Sequence, residues 1–199
     1  MSGGAGYQLQ QFIPFSSDVY LRLLERIGET YWPWHIATLL LGVIVLLLAL
    51  RHKASAGCML LAPLWLFVGY GFFLQHYAEL NWAGNYIGYA FIAEALLLLC
   101  IALSGKGLAK TAPDKRPAVV IGLALALTGL VGWPFIGLLS GNSSFQAAVF
   151  GIYADPTAIV TLGLLLIMLR GWLLWLSAII PLLWLVVSGL TWWVLLTPQ

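Results

Sequence analysis

Charge is what this chain has least of. Only 8% of its 199 residues are Asp, Glu, Lys or Arg, while 62% are hydrophobic and mean hydropathy is +0.97. A soluble domain carries about 25% charged and about 45–50% apolar residues. Soluble packing is therefore excluded, and a multi-pass membrane protein fits. With a net charge of +2 and no basic block, nucleic acid is excluded as a partner. Cysteine is equally sparse. Cys58 and Cys100 stand alone near expected cytoplasmic helix ends, so neither a disulfide nor a CxxC metal or redox motif is expected. No P-loop, GxGxxG or Ser/His/Asp constellation occurs, which makes an enzyme the weakest class and implies no cofactor. The opening MSGGAG lacks a basic stretch followed by an apolar one, so no cleavable signal is expected.

What is present is a series of apolar runs. Residues 1–11 read as flexible. From Ser17 to Tyr31 the pattern is helical and amphipathic. Val19, Leu23 and Ile27 form a stripe widened by Tyr20 and Leu24, and Asp18, Arg22, Glu25, Arg26 and Glu29 lie opposite. Ser17 can cap this helix, which is too charged to span and is expected in the membrane interface. Trp32, Pro33 and Trp34 then anchor a single transmembrane domain over residues 35–199. The expected fold is all-α, a bundle of about six transmembrane helices at 35–50, 56–76, 83–103, 118–139, 156–169 and 172–196. Gly129, Gly132 and Pro134 predict a bend in the fourth.

Lys and Arg set the orientation. Arg51, Lys53, Lys106, Lys110, Lys115, Arg116 and Arg170 fall in alternate loops, and the opposite side holds only Arg22 and Arg26. The positive-inside rule places both termini outside the cytoplasm, in the periplasm of a bacterium whose inner membrane holds the protein. Polar residues then gather at the outer face, among them His35, His76, Glu79, Asn81, Asn85, Asn142, Ser143, Ser144, Gln146, Tyr153 and Asp155. A site should open outward.

Tyr70 to Glu94 is the most informative stretch, read as helix, short polar link and helix. Glu94 lies about eleven residues into its helix, roughly 16 Å deep and near mid-bilayer. An ionisable side chain there is costly and points to function. Its face carries Ala83, Ile87, Ala90 and Leu98, and no Lys or Arg lies at its depth. Thr128, Ser188, Tyr89, a backbone carbonyl or water remain as partners. The functional reading is a proton or cation group; the plain one is a neutral acid that fixes packing. An outward pocket lined by His76, Asn85, Glu94 and Asp155 is expected. His35, His76 and Glu79, with Asp155 at the same surface, are weak metal candidates without ligand spacing, and both histidines lie too near the surface to share a buried haem. Asp155-Pro156 reads as N-cap and first residue of the fifth helix. That helix is short, so residues 143–153 before it can dip inward as a re-entrant segment. Its positive end would then face an anionic ligand or Glu94. Trp32, Trp34, Trp82, Trp192 and Trp193 fit an outer belt, Trp172 and Trp175 an inner one, and Trp65 and Trp184 fit helix packing.

Two blocks carry a resemblance. Ile13 to Gly42, with Pro14-Phe15-Ser16, the amphipathic helix, Trp32-Pro33 and Gly42, resembles the opening of an uncharacterised bacterial multi-pass membrane family, domain of unknown function six-zero-six-four. Phe150 to Leu166 resembles that family's Phe-Gly, X-Pro-Thr and apolar helix pattern. The family pattern places a cysteine before that proline, where this chain has Asp155, so no role resting on a thiol carries over. The resemblance implies a membrane location and brings no reaction or site residues.

Two functions stay open at this level. One is a small binding or permeation module for a proton, cation or small polar molecule. The other is a non-catalytic accessory subunit whose partners, beyond the bilayer, are other membrane subunits or further copies of the chain.

Overall fold

A computed structural model describes residues 15–109, 116–139, 143 and 145–196. The readings made on residues 1–11, Lys110, Asp114, Lys115, Asn142 and Ser144 lie outside the described residues. Among the described residues the regular structure is helical, with irregular connections, the longest described one at 145–153, and one isolated antiparallel bridge between Leu108 and Leu169.

We number the helices α1 (Ser17–Thr30), α2 (Trp34–Leu50), α3 (Ala54–Leu80), α4 (Ala83–Ser104), α5 (Pro117–Leu139), α6 (Ala154–Met168) and α7 (Trp172–Leu196). Helices α3, α4, α5 and α7 are long and apolar enough to cross a membrane. A fifth crossing is reached if α1 and α2, bent by 87° at their junction, count together. The apolar runs located each helix to within a few residues, because hydropathy sets the length of such an element directly. Charged ends follow the same division. Arg51, Lys53, Lys106 and Arg170 sit at one end of the bundle, and the carboxylates of α1 and Glu79 at the other.

Local chemistry adjusts three boundaries. The α1 cap is Ser16 rather than Ser17, its hydroxyl accepting from the Val19 amide at 3.5 Å. Helix α3 runs on to Leu80, so the expected polar link shrinks to Asn81 and Trp82. There the Asn81 side-chain oxygen accepts from the Ala83 amide at 2.9 Å and starts α4. Finally, Thr128–Gly132 of α5 winds as a π-helix. Pro134 has no N–H for the carbonyl four residues back, and wider winding is one way a helix absorbs that loss.

Helix α6 is the hub. It packs on α2, α3, α5 and α7. Of its residues only Leu162 and Leu166 are not buried. A helix buried on every side must be uniformly apolar, or have its polar groups bonded. Accordingly, Thr161 accepts the Trp65 indole N–H at 2.8 Å, and the Thr157 hydroxyl donates to the Tyr153 carbonyl at 2.6 Å while accepting from the Gly151 amide at 2.8 Å. Helix α4 lies on α3 and α7. Its seam with α3 is a mutual backbone approach in which a Cβ on Gly69 or Gly88 would come within 2.9 Å of the other's carbonyl oxygen. Gly84 and Gly88, one turn apart on α4, thus let its backbone pack closely on α3.

The tryptophans separate by burial. Trp65 and Trp184 are buried between helices, while Trp32, Trp34, Trp82, Trp172, Trp175 and Trp193 are exposed near helix ends.

Candidate functional site

The amphipathic helix builds one wall of the site. Tyr20, Leu23, Leu24 and Ile27 are all buried against protein, whereas Val19, on the same stripe, is exposed. The surface they cover is made by Tyr77 of α3, Trp192 of α7 and the irregular segment leading into α6. There the Glu25 carboxylate accepts from the Ser143 hydroxyl at 3.0 Å and the Gln146 amide at 3.3 Å. The Tyr153 hydroxyl donates to the Leu24 carbonyl at 2.9 Å, with the Phe145 carbonyl at 3.1 Å. Gly28 lets the helix backbone pass directly over the Phe145 carbonyl. The apolar stripe expected in the lipid interface thus meets protein. Either surface satisfies an apolar face, and the hydrogen bonds across the contact favour this one.

Segment 145–153 is itself covered, with Val149, Phe150, Ile152 and Tyr153 buried. It delivers Tyr153 as the N-cap residue, so Asp155 lies one residue inside α6 rather than at the cap. The Asp155 carboxyl instead accepts the Trp184 indole N–H at 2.8 Å and is hydrogen-bonded by Ser188, both from α7.

Around this carboxyl lies a cavity of about 740 Å³. Tyr20, Leu21 and Leu24 of α1 close one side. Trp133, Ile136 and Gly137 of α5 face Gly189, Trp192 and Leu196 of α7, and Phe72, Gln146, Ala148 and Tyr153 also line it. Ser17 at the start of α1 and Leu196 at the end of α7 both line it, so it sits at the end of the bundle where those two helix ends lie. Burial, aided by Asp155, Tyr77 and Tyr153, holds the Tyr20 phenol well above the ordinary tyrosine range, so it stays neutral. No Lys, Arg or His lines the cavity among the described residues.

Of the four residues expected to share a pocket, only Asp155 lines this one. The His76 imidazole Nδ1 donates to the Gly71 carbonyl at 2.6 Å, a reach of five residues that the π-helical winding of Val68–Tyr77 supplies. Asn85 is exposed, and its amide contacts the Trp82 carbonyl at 3.4 Å. Glu94 is fully buried, and both its carboxyl oxygens lack a hydrogen-bond partner among the described residues. Its suggested partners lie elsewhere: Ser188 serves Asp155, and Thr128 and Tyr89 are exposed. Glu94 turns inward as expected, and of the face given to it Leu98 is buried while Ala83, Ile87 and Ala90 are half-buried; Gly84, Gly88, Phe91 and Ala95 make up the rest of the packed face. The metal candidates are also dispersed. Glu79 pairs with Arg26 at 4.0 Å, and His35 is buried beside Trp32 and Tyr153. Among the described residues no three His, Cys, Asp or Glu side chains are placed to hold a metal ion.

Glu94 lies one helical turn from Phe91, whose ring is 6.0 Å from that of Trp184, the Asp155 donor. A buried carboxyl without a partner is destabilising by about 1–3 kcal/mol, and an apolar replacement of like shape removes that penalty. Glu94→Met is therefore expected to raise the thermal unfolding midpoint of the purified protein by several degrees. A fall in the midpoint would show that Glu94 makes a stabilising contact.

Sequence reasoning singled out Asp155 but missed Tyr20, Trp184, Ser188 and Gly189 as its surroundings. Only the small residues Ser188-Gly189 in an otherwise bulky apolar helix hinted at them. No curated protein and no solved structure matches the chain. Residues 17–199 match the model of a family of unknown function, DUF6064, and the chain belongs to that family.

Proposed function

We propose that this is a multi-pass inner-membrane protein of a bacterium that binds a small molecule in the Asp155 cavity, opening to the periplasm. The observation that carries this reading is the cavity itself. Its volume falls in the usual range for small-molecule sites, about 300–1,000 Å³, and its mostly apolar walls hold one carboxyl group, with Ser17 and Gln146 also lining it. Six crossings and two periplasmic termini fit the arrangement. The basic residues Arg51, Lys53, Lys106 and Arg170 sit at the end opposite the cavity, as the positive-inside rule requires of a cytoplasmic face. Helix α2 has 17 residues, near the lower limit for a span. Helix α6, with 15, is short, and the covered segment 145–153 makes up its depth. Irregular backbone is tolerated at membrane depth when protein surrounds it. Residues 35–199 form the spanning domain in this reading, with α1 as a docked cover. Glu94 is a second acid beneath the Phe91–Trp184 contact, able to take a proton or cation.

Labelling tests the reading. In a variant with Cys58 and Cys100 replaced by Ser, Gly189→Cys places a thiol on the cavity wall. A membrane-impermeant maleimide added to the periplasmic side of intact cells should label it. Labelling only from the cytoplasmic side, or only after denaturation, would overturn the outward-open cavity.

A further inference from the structure

The cavity has one charge-bearing group and no basic partner for it. Asp155 is 8% exposed, held by two neutral donors, and no Lys, Arg or His shares the cavity among the described residues. A buried carboxylate without a cation is strongly disfavoured, so an incoming cation would supply the partner that the protein does not. The rings of Tyr20, Phe72, Trp133, Tyr153 and Trp192 line the same space, and aromatic faces attract cations as well as apolar groups. An anion would meet the carboxyl group at the floor. The positive N-terminus of α6 is already occupied by Asp155, which removes the anion reading suggested by that helix end. A polyol would leave most of its hydroxyls unpaired against apolar walls.

The mouth also has a direction. None of the residues Trp133–Leu139 at the end of α5 is buried. Ile136 and Leu196, which line the cavity from α5 and α7, are 56% and 72% exposed. The gap between these helix ends therefore meets the same surroundings as the apolar outer surface of the bundle. A Cβ on Gly189, which lines the cavity, would meet nothing within 4 Å.

We infer that the cavity takes an amphiphilic organic monocation, an ammonium head reaching Asp155 and an apolar body passing between α5 and α7 from the outer leaflet. This rests on the reading that the Asp155 cavity is a binding site. The full-length protein in phosphatidylcholine nanodiscs, with empty nanodiscs subtracted, is titrated with octyltrimethylammonium, octanol and octanoate. The cation should bind about tenfold or more tightly than octanol, the yield of one charge pair with aromatic contacts, and octanoate should not bind. Asp155→Asn should lower cation affinity to that of octanol while octanol binding persists, which shows that the variant is folded. Gly189→Leu, filling the cavity, should abolish binding of both. If octanol binds wild type as tightly as the cation, or Asp155→Asn leaves the preference unchanged, the cation inference falls and the binding cavity stands. If no probe binds wild type, or Gly189→Leu binds all as wild type does, both fall; the labelling of Gly189→Cys reports on the cavity independently of any ligand.

Discussion

Gly163→Leu is expected to leave no folded protein. Gly163 lies on α6 opposite Gly122 of α5, and a Cβ on it would overlap the Gly122 carbonyl oxygen. The same atom would come within 2.7 Å of the Ala126 amide nitrogen and 3.1 Å of the Leu125 Cβ. The obstacles are mostly backbone, which cannot rotate aside as a side chain does. Nor can α6 retreat, since α2, α3 and α7 pack around its other faces. Overpacking a core with a few methylenes is destabilising by about 1–3 kcal/mol, and more where backbone must move. A whole domain is stable by only about 5–15 kcal/mol. Loss of the monodisperse species in size-exclusion chromatography, together with loss of a cooperative thermal transition, is the expected readout. Gly189→Leu is the control, because the same substitution in another apolar helix meets open space. A Gly163→Leu protein that unfolded at the wild-type midpoint would show that the α5–α6 seam is looser than this close backbone approach indicates.

The contrast between those two glycines marks the limit of what the sequence makes legible. Hydropathy located α3, α4, α5 and α7 to within a few residues, and the charge asymmetry of Arg51, Lys53, Lys106 and Arg170 against Glu25, Glu29 and Glu79 was open to inspection. That Glu94 turns into the bundle was legible, because a carboxyl avoids lipid, and it is fully buried. Which neighbours share its buried face was not. A helix that is otherwise apolar all round carries no amphipathic signal to show which residues turn inward with it. The half-buried side of Ala83, Ile87 and Ala90 was therefore as plausible as the one that packs, through Gly84, Gly88 and Phe91. The same blindness hid the Asp155 cavity, which needs the end of α5 to stand apart from α7 and α1 to close the side. These are relations among segments distant in the chain, with α1 more than a hundred residues from both α5 and α7. Asp155 itself was visible as an acid beside a proline at a helix start. Its donors Trp184 and Ser188 were not, because nothing local to either residue points to the other.

Gly28→Leu should release α1 while the helices below it stay folded. Glycine is required at this position by proximity: a Cβ would overlap the Phe145 carbonyl oxygen and lie 2.9 Å from its carbonyl carbon. The contacts that would be lost with it are the Tyr153 hydroxyl to Leu24, the Glu25 bonds to Ser143 and Gln146, and the burial of Ile27. Unlike Gly163, Gly28 sits on an element held from one side, so the clash is relieved by undocking rather than by unfolding. Local opening of this kind draws only on the free energy of the docked segment. Arg22 and Arg26 then become substrates for trypsin, and cleavage there is expected to accelerate about tenfold or more, the effect of losing about 1.4 kcal/mol of docking. Tyr153→Phe, which removes only the hydroxyl, should move cleavage the same way by less, about 1 kcal/mol. Since Tyr20, Leu21 and Leu24 form the α1 side of the cavity, octyltrimethylammonium binding should weaken in step with proteolysis across the two variants. Wild-type trypsin resistance in Gly28→Leu would mean that the contacts of α1 with α3 and α7, through Tyr20 on Tyr77 and Trp192 and Arg26 with Glu79, hold it without segment 145–153. Rapid cleavage with undiminished binding would mean that α1 covers the site without contributing to it.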